Sequence, residues 1–190
     1  MSKRAIFLDR DDTINYDPGY LNDPEQVKLY PGVGEGIAKL KNEYGFLIIV
    51  ISNQSGITRG LISLEQVKAV NDRINVLLKN FGAKIDDFFF CPYHPDFDDE
   101  DKTKCRKPSP NMVFDAAKKY DIDLSSSYFI GDQPKDVECG NRAGVKSVII
   151  TNKISKDEIF YLKSPEKTPN FVAYDFLNAC DFIINDLKDL

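Results

Sequence analysis

Ala5-Ile6-Phe7-Leu8-Asp9-Arg10-Asp11-Asp12-Thr13 begins with four apolar residues and stops abruptly in carboxylates and a threonine. Such a run fits a short strand buried on both faces, the kind found in parallel sheets covered by helices. A buried parallel strand exposes only its ends, so Asp9 and Asp11 should stand beyond its carboxyl end, where open α/β sheets collect their ligands. Read alone, an Asp-x-Asp after a strand is more often turn or helix-cap chemistry. Its meaning depends on what other strands bring to the same edge.

The chain repeats the pattern. Phe46 to Ile51 is a continuous apolar run ending in Ser52-Asn53-Gln54-Ser55-Gly56, and Tyr128-Phe129-Ile130-Gly131 ends on Asp132. Asp87 to Cys91, Lys146 to Thr151 and Phe171 to Tyr174 read as further strands. Between them, Val33, Ile37 and Leu40, then Val67, Val70, Ile74, Leu77 and Leu78, recur at helical spacing. Ser63 with Gln66 makes a capping box for the second of these helices. Further helices are expected around Met112, Val113 and Ala116, from Val137 to Ala143, and through Ile183 and Leu187. Alternating buried strands and amphipathic helices imply a mostly parallel central sheet with helices on both faces. Asn15 to Pro24, rich in turn formers and aromatics, reads as a loop or flap; Asp96 to Asp101 reads as a solvated acidic loop, and 152–170 as a loop with at most a short helix.

With 190 residues, 42% hydrophobic and 29% charged, a single domain over 1–190 is expected, with small loop insertions and no large cap domain. The net charge of −5 argues against a nucleic-acid partner. No stretch approaches a membrane span and residues 1–8 contain too short an apolar run for a signal peptide, so a cytoplasmic protein is expected, and it is taken as a monomer. The four cysteines are too sparse for a disulfide scaffold and are expected as free thiols.

At one sheet edge the pattern collects carboxylates (Asp9, Asp11, Asp132), a hydroxyl and amide (Ser52, Asn53), and Lys107, which precedes a helix amino terminus. Neighbouring carboxylates repel unless a cation intervenes, and all-oxygen donors suit magnesium. Magnesium, Lys107 and Ser52 together suit a phosphoryl group. Asp9 is then placed to attack phosphorus, and Asp11, two residues along an extended backbone, to handle the proton.

Asp9-x-Asp11-x-Thr13, Ser52-Asn53, Lys107 and Gly131-Asp132 with Asp136 resemble the four motifs of the haloacid dehalogenase superfamily, which implies its Rossmann-like fold. Phe7 to Asp11, Ser52-Asn53-Gln54-Ser55-Gly56-Ile57-x-Arg59-Gly60 and Cys105-Arg106-Lys107-Pro108 are similar to the D-glycero-D-manno-heptose 1,7-bisphosphate 7-phosphatases and related histidinol-phosphate phosphatases. The resemblance implies Asp9 as nucleophile, Asp11 as acid/base, and Ser52 and Lys107 steadying the phosphoryl group. It assigns magnesium to Asp9, the Asp11 carbonyl and Asp132, with Asp136 supporting from behind. Substrate contacts would fall on Asp17, Pro18, Gly19, Tyr20, Asn53, Gln54, Ser55, Arg59, Arg106 and Gln133, with Arg59 or Arg106 meeting a second phosphate. The implied substrate is a small phosphorylated sugar, foremost the heptose bisphosphate of lipopolysaccharide precursor synthesis, with histidinol phosphate or another sugar phosphate as alternatives. A non-catalytic phosphate- or magnesium-binding module is the rival outside enzymology, and the Asp9–Asp11 pair argues against it.

Two positions depart from the family pattern. Asp12 stands where the family commonly has Gly, and the zinc loop Cys-x-His…Cys-x-Cys is represented by Cys91, Tyr93, Thr103 and Cys105. His94 lies one residue late, so Cys91, His94 and Cys105 form an incomplete set for a four-coordinate structural zinc, and none is expected.

Overall fold

The computed structural model describes residues 2–151 and 165–188. Among them, strands β1 (Ala5–Leu8), β2 (Leu47–Asn53), β3 (Asp87–Cys91), β4 (Tyr128–Gly131), β5 (Lys146–Ile150) and β6 (Phe171–Ala173) form one sheet. Its order is β3-β2-β1-β4-β5-β6, and every neighbouring pair is parallel. Strand order reverses beside β1, so a crevice opens where the carboxyl ends of β1 and β4 part. Asp9 and Asp132 are the first residues past those two ends, and the Asp9 N–H still donates to the Ile130 carbonyl at 3.0 Å.

Side chains alternate across the strands, which sorts the core into two layers. Ile6, Leu8, Ile48, Val50 and Ile130 face helices α1 (Val33–Asn42), α2 (Leu64–Leu78) and α6 (Phe176–Asp186). Ala5, Phe7, Ile49, Ile51 and Phe129 face α4 (Asn111–Tyr120) and α5 (Pro134–Ala143). Because both faces are covered, these strands have no room for polar side chains except at their ends. The Ser63–Gln66 capping box starts α2, with reciprocal hydrogen bonds of 2.8 and 3.2 Å.

Three expectations need correction. The acidic run does not stay a loop: Glu100–Thr103 form a one-turn helix, α3, with carboxylates at its amino end, where the helix dipole favours them. Helix α5 starts three residues earlier than Val137, at Pro134, a residue suited to a first helical turn, and this draws Asp136 into that turn. Cys91 and Cys105 are not free thiols but a disulfide, because the end of β3 and the loop before α4 approach to a Cα–Cα distance of 5.5 Å. Cys139 and Cys180 are free and buried. Of the loop expected over 152–170, residues 152–164 lie outside the described residues, and Pro165–Lys167 form a 3₁₀ turn. No helix of the described residues is long and apolar enough to cross a membrane.

Candidate active site

At the crevice, Lys107 Nζ lies 2.6 Å from Asp9 Oδ1 and 2.7 Å from Asp136 Oδ1, with the lysine side chain wholly buried. Burial disfavours the ammonium, but the charges of Asp136 and Asp9 outweigh it and hold Lys107 protonated. Asp132 accepts from the Thr13 hydroxyl at 3.1 Å and from Gln133 Nε2 at 2.9 Å. Asp136 reaches this group because residue 131 is glycine: a Cβ there would lie 2.4 Å from the Asp136 Cβ. On the other side, Asn53 ties down the lysine loop, accepting the Lys107 N–H at 3.0 Å and donating to its carbonyl at 3.1 Å.

Asp9, Asp132 and Asp136 each offer an oxygen within 4.8 Å of the others. Three converging hard donors fit magnesium by their chemistry. Asp136 faces Lys107 with one oxygen and accepts the Gln133 N–H at 3.0 Å with the other, and unlike Asp9 and Asp132 it does not line the cleft at this edge. That arrangement suits a supporting place behind the ion, with Asp9 and Asp132 in front.

Burial pushes the Asp9 carboxyl up; Lys107 pulls it back, Asp136 and Asp132 oppose that, and it settles at about 8. Asp132 is raised for like reasons, by burial and by Asp136. An Asp whose carboxyl titrates near 3.8 unfolded and near 8 folded binds more protons in the folded state across that window, so rising pH lowers the stability of the metal-free protein through this group. A cation takes only the ionised form. The rise in Tm produced by Mg2+ should therefore be larger at pH 8 than at pH 6, measured by thermal denaturation with and without the ion; an equal rise would count against Asp9 as a ligand.

Asp11 has different neighbours. Burial pushes its carboxyl up, but the Arg10 charge and hydrogen bonds from Arg10, Gln54 and Asn15 outweigh burial and hold it below the usual range. An acidic cleft of about 180 Å³ is lined by Asp9, Asp11, Asp12, Asp17, Ser52, Asn53, Asp132, Gln133 and Lys135. A second cleft shares Asp11, Asp17 and Asn53 with it and continues past Gly19, Tyr20, Gln54 and Ser55. The loop after β1 thus walls both. Its approach to β2 needs Gly56, where a Cβ would lie 2.7 Å from the Tyr20 ring.

Of the substrate contacts expected from the sequence, Pro18, Arg59 and Arg106 line neither cleft. Arg59 packs its guanidinium over the rings of Tyr20 and Phe97 and donates to the Tyr20 hydroxyl. Arg106, its charge disfavoured by burial, donates to the Tyr93 carbonyl at 3.2 Å. Asp12 sits at φ 61°, in the region that favours glycine, and accepts from Tyr30 Oη at 3.1 Å and the Asp17 N–H at 3.3 Å. The carboxylate gives the left-handed turn a tether to the flap.

Relatives carry the comparison further. A HAD-hydrolase-like family model matches residues 104–179. The chain is 37% identical over 187 residues to D-glycero-D-manno-heptose-1,7-bisphosphate 7-phosphatase of Chlorobaculum tepidum, covering 94% of this chain and 92% of that one. It is 31% identical to D-glycero-beta-D-manno-heptose-1,7-bisphosphate 7-phosphatase of Escherichia coli K12, covering 98% of this chain and 91% of the relative. The chain belongs to the heptose-1,7-bisphosphate 7-phosphatase family of HAD-like hydrolases. A crystal structure of D,D-heptose 1,7-bisphosphate phosphatase from B. bronchiseptica, complexed with magnesium and phosphate, matches with a TM-score of 0.83 at 28% identity, over 96% of this chain and 99% of that one.

Within this family fold, several side chains that shape the site went unread in the sequence. Arg10 meets Asp11, Asn71 meets Arg10, Thr13 meets Asp132, Tyr30 meets Asp12, and Lys135 lines the cleft. A signal did exist for Asn71. Val67, Asn71, Ile74 and Leu78 are spaced four, three and four apart, so Asn71 lies on the buried stripe of α2 and needs a polar partner there.

Proposed function

We propose that this chain hydrolyses a phosphate monoester of a small sugar through an aspartyl-phosphate on Asp9, and that its substrate is D-glycero-D-manno-heptose 1,7-bisphosphate, cleaved at position 7. The observation that carries the chemistry is the buried Asp9–Lys107–Asp136 contact at the sheet's reversal point, opening onto an acidic cleft. The names of the full-length relatives support the substrate.

Asp9 attacks phosphorus in line, and Lys107, beside it, offsets the charge gathering on the phosphoryl oxygens while Ser52 holds one of them. Asp11 gives its proton to the leaving sugar oxygen and then takes one from the water that cleaves the aspartyl-phosphate. Magnesium, held by Asp9, the Asp11 carbonyl and Asp132 with Asp136 behind, would neutralise the phosphate on entry. Asp17, Pro18, Gly19 and Tyr20 of the flap, with Asn53, Gln54, Ser55 and Gln133, receive the sugar, and Arg59 or Arg106 turns toward the second phosphate. For the loop between Cys91 and Cys105 we propose a covalent tie in place of zinc, since a sulfur shared in a disulfide is no longer a thiolate ligand. The reading also takes residues 1–190 as one domain, acting as a monomer in the cytoplasm.

Competition among heptose 1,7-bisphosphate, histidinol phosphate and hexose 6-phosphates tests the substrate. One extra charge-assisted contact to the second phosphate is worth about 1.5–3 kcal/mol. The bisphosphate should therefore lead in kcat/KM by roughly 10- to 100-fold. A lead for histidinol phosphate would reassign the substrate while leaving the phosphatase chemistry standing.

A further inference from the structure

Arg10 is 1% exposed and is one of the largest fully buried side chains among the described residues. A guanidinium so far from water must spend its donors on protein acceptors. Its Nε and Nη2 grip the two oxygens of Asp11 at 2.9 and 3.0 Å, and Nη1 reaches Asn71 Oδ1 at 3.1 Å. Nη2 also reaches Gln54 Oε1 at 3.1 Å, and Gln54 Nε2 donates to Asp11 Oδ2 and to Ser52 Oγ, both at 2.7 Å. Arg10 at the β1 end thus holds the carboxylate side-on, Gln54 past the β2 end donates to it as well, and Asn71 on α2 braces the guanidinium.

The placement has a direction. Asp11, with Asp17 and Asn53, lies at the join of the two clefts, with Asp9 and Asp132 on one side and Tyr20 and Ser55 on the other. A group that protonates the sugar oxygen as its bond to phosphorus breaks belongs at that join. A carboxylate on the first turn after a strand swings freely unless something fixes its χ angles, and the planar fork of an arginine fixes both oxygens at once.

We infer that Arg10, braced by Gln54 and Asn71, is a positioning residue that aims the Asp11 carboxyl at the leaving sugar oxygen. The inference rests on the phosphatase reading above. In the step concerned, a lone pair of Asp9 forms the new O–P bond, and the ester P–O bond breaks with its electron pair going to the sugar oxygen. Asp11, a carboxylate in the resting fork, takes up a proton from solvent when the substrate enters and gives that proton to the departing oxygen. The carboxylate left behind stays against Arg10, which balances its charge and aims it again when water attacks the aspartyl-phosphate and gives up its proton.

Leaving-group dependence separates positioning from simple structural support. A sugar alkoxide needs the proton as it departs; p-nitrophenolate does not. Only kcat/KM is compared, because it covers events up to the first irreversible step, phosphorylation of Asp9. For Arg10→Lys, which keeps the charge and loses the fork, kcat/KM on a primary sugar phosphate should fall about 100-fold or more. On p-nitrophenyl phosphate it should fall by less than about tenfold, with circular dichroism and Tm establishing that the variant is folded. Asn71→Ala, which removes a brace on α2 and leaves every cleft-lining residue in place, should show the same selective loss on a smaller scale. Equal losses on both esters in the folded variants would overturn the inference, as would an unfolded Arg10→Lys together with an unselective Asn71→Ala. A wild-type chain inactive on both esters with Mg2+ would remove the phosphatase reading itself, and the inference with it.

Discussion

Asp9→Asn is expected to abolish phosphate release, with a fall in kcat of more than about 10⁴-fold in the presence of Mg2+. The substitution keeps the shape of the side chain and removes its nucleophilic anion, so the acidic cleft stays open while the first bond to phosphorus can no longer form. It should not cost stability. The Asp9 carboxylate is a burdened group, buried and pressed by Asp136 and Asp132, with Lys107 pulling the other way. A neutral amide escapes the burial penalty and leaves Lys107 its contact with Asp136 at 2.7 Å. Phosphate assay and Tm should therefore part company: activity gone, melting temperature held or raised. Near-normal turnover would sink the nucleophile assignment.

Lys107→Met is expected to act on stability as well as on rate. The lysine side chain is fully buried between Asp9 and Asp136, so its loss strands two carboxylates in the interior without a counter-charge. Breaking a buried pair by removing one partner costs about 3–5 kcal/mol. The cost must depend on pH. Stranded carboxylates bind protons more tightly folded than unfolded, so stability falls as pH rises past the unfolded value, and the deficit relative to wild type should be smaller at pH 5 than at pH 8. Denaturant unfolding of both proteins at the two pH values, without metal, measures it. A deficit under about 1 kcal/mol at pH 8 would mean that the site does not depend on Lys107 for its electrostatic balance.

Both effects grow from features a reader of the sequence can see. Apolar runs that end in Asp9, Ser52 and Asp132 are legible because a strand buried on both faces tolerates polar side chains only where it stops. Asp136 and Lys107 are legible as residue types, but their contact is not: 29 positions separate them, and only the early start of α5 and the absence of a side chain at Gly131 bring the carboxylate to the ammonium. Arg10 is harder still. Between two acids at a strand end it reads as one more surface charge, and its burial depends on Asn71, 61 residues away, and Gln54, 44 away.

The loops mark the same division. Turn formers reveal that Asn15 to Pro24 leaves the regular structure, yet not that Asp12 holds it through the Asp17 N–H and Tyr30 Oη. The family resemblance singles out Cys91 and Cys105 as remnants of a ligand set; that the two sulfurs meet follows from a Cα–Cα approach of 5.5 Å.

Local periodicity and the cost of burying polar groups are enough to specify the parallel sheet, the strand ends where polar groups collect, and the oxygen and ammonium groups available there. Which charges pair is settled by folding: Lys107 with Asp9 and Asp136, and Arg10 with Asp11. A buried charge must find its partner in space, and the partner's place along the chain leaves no periodic trace.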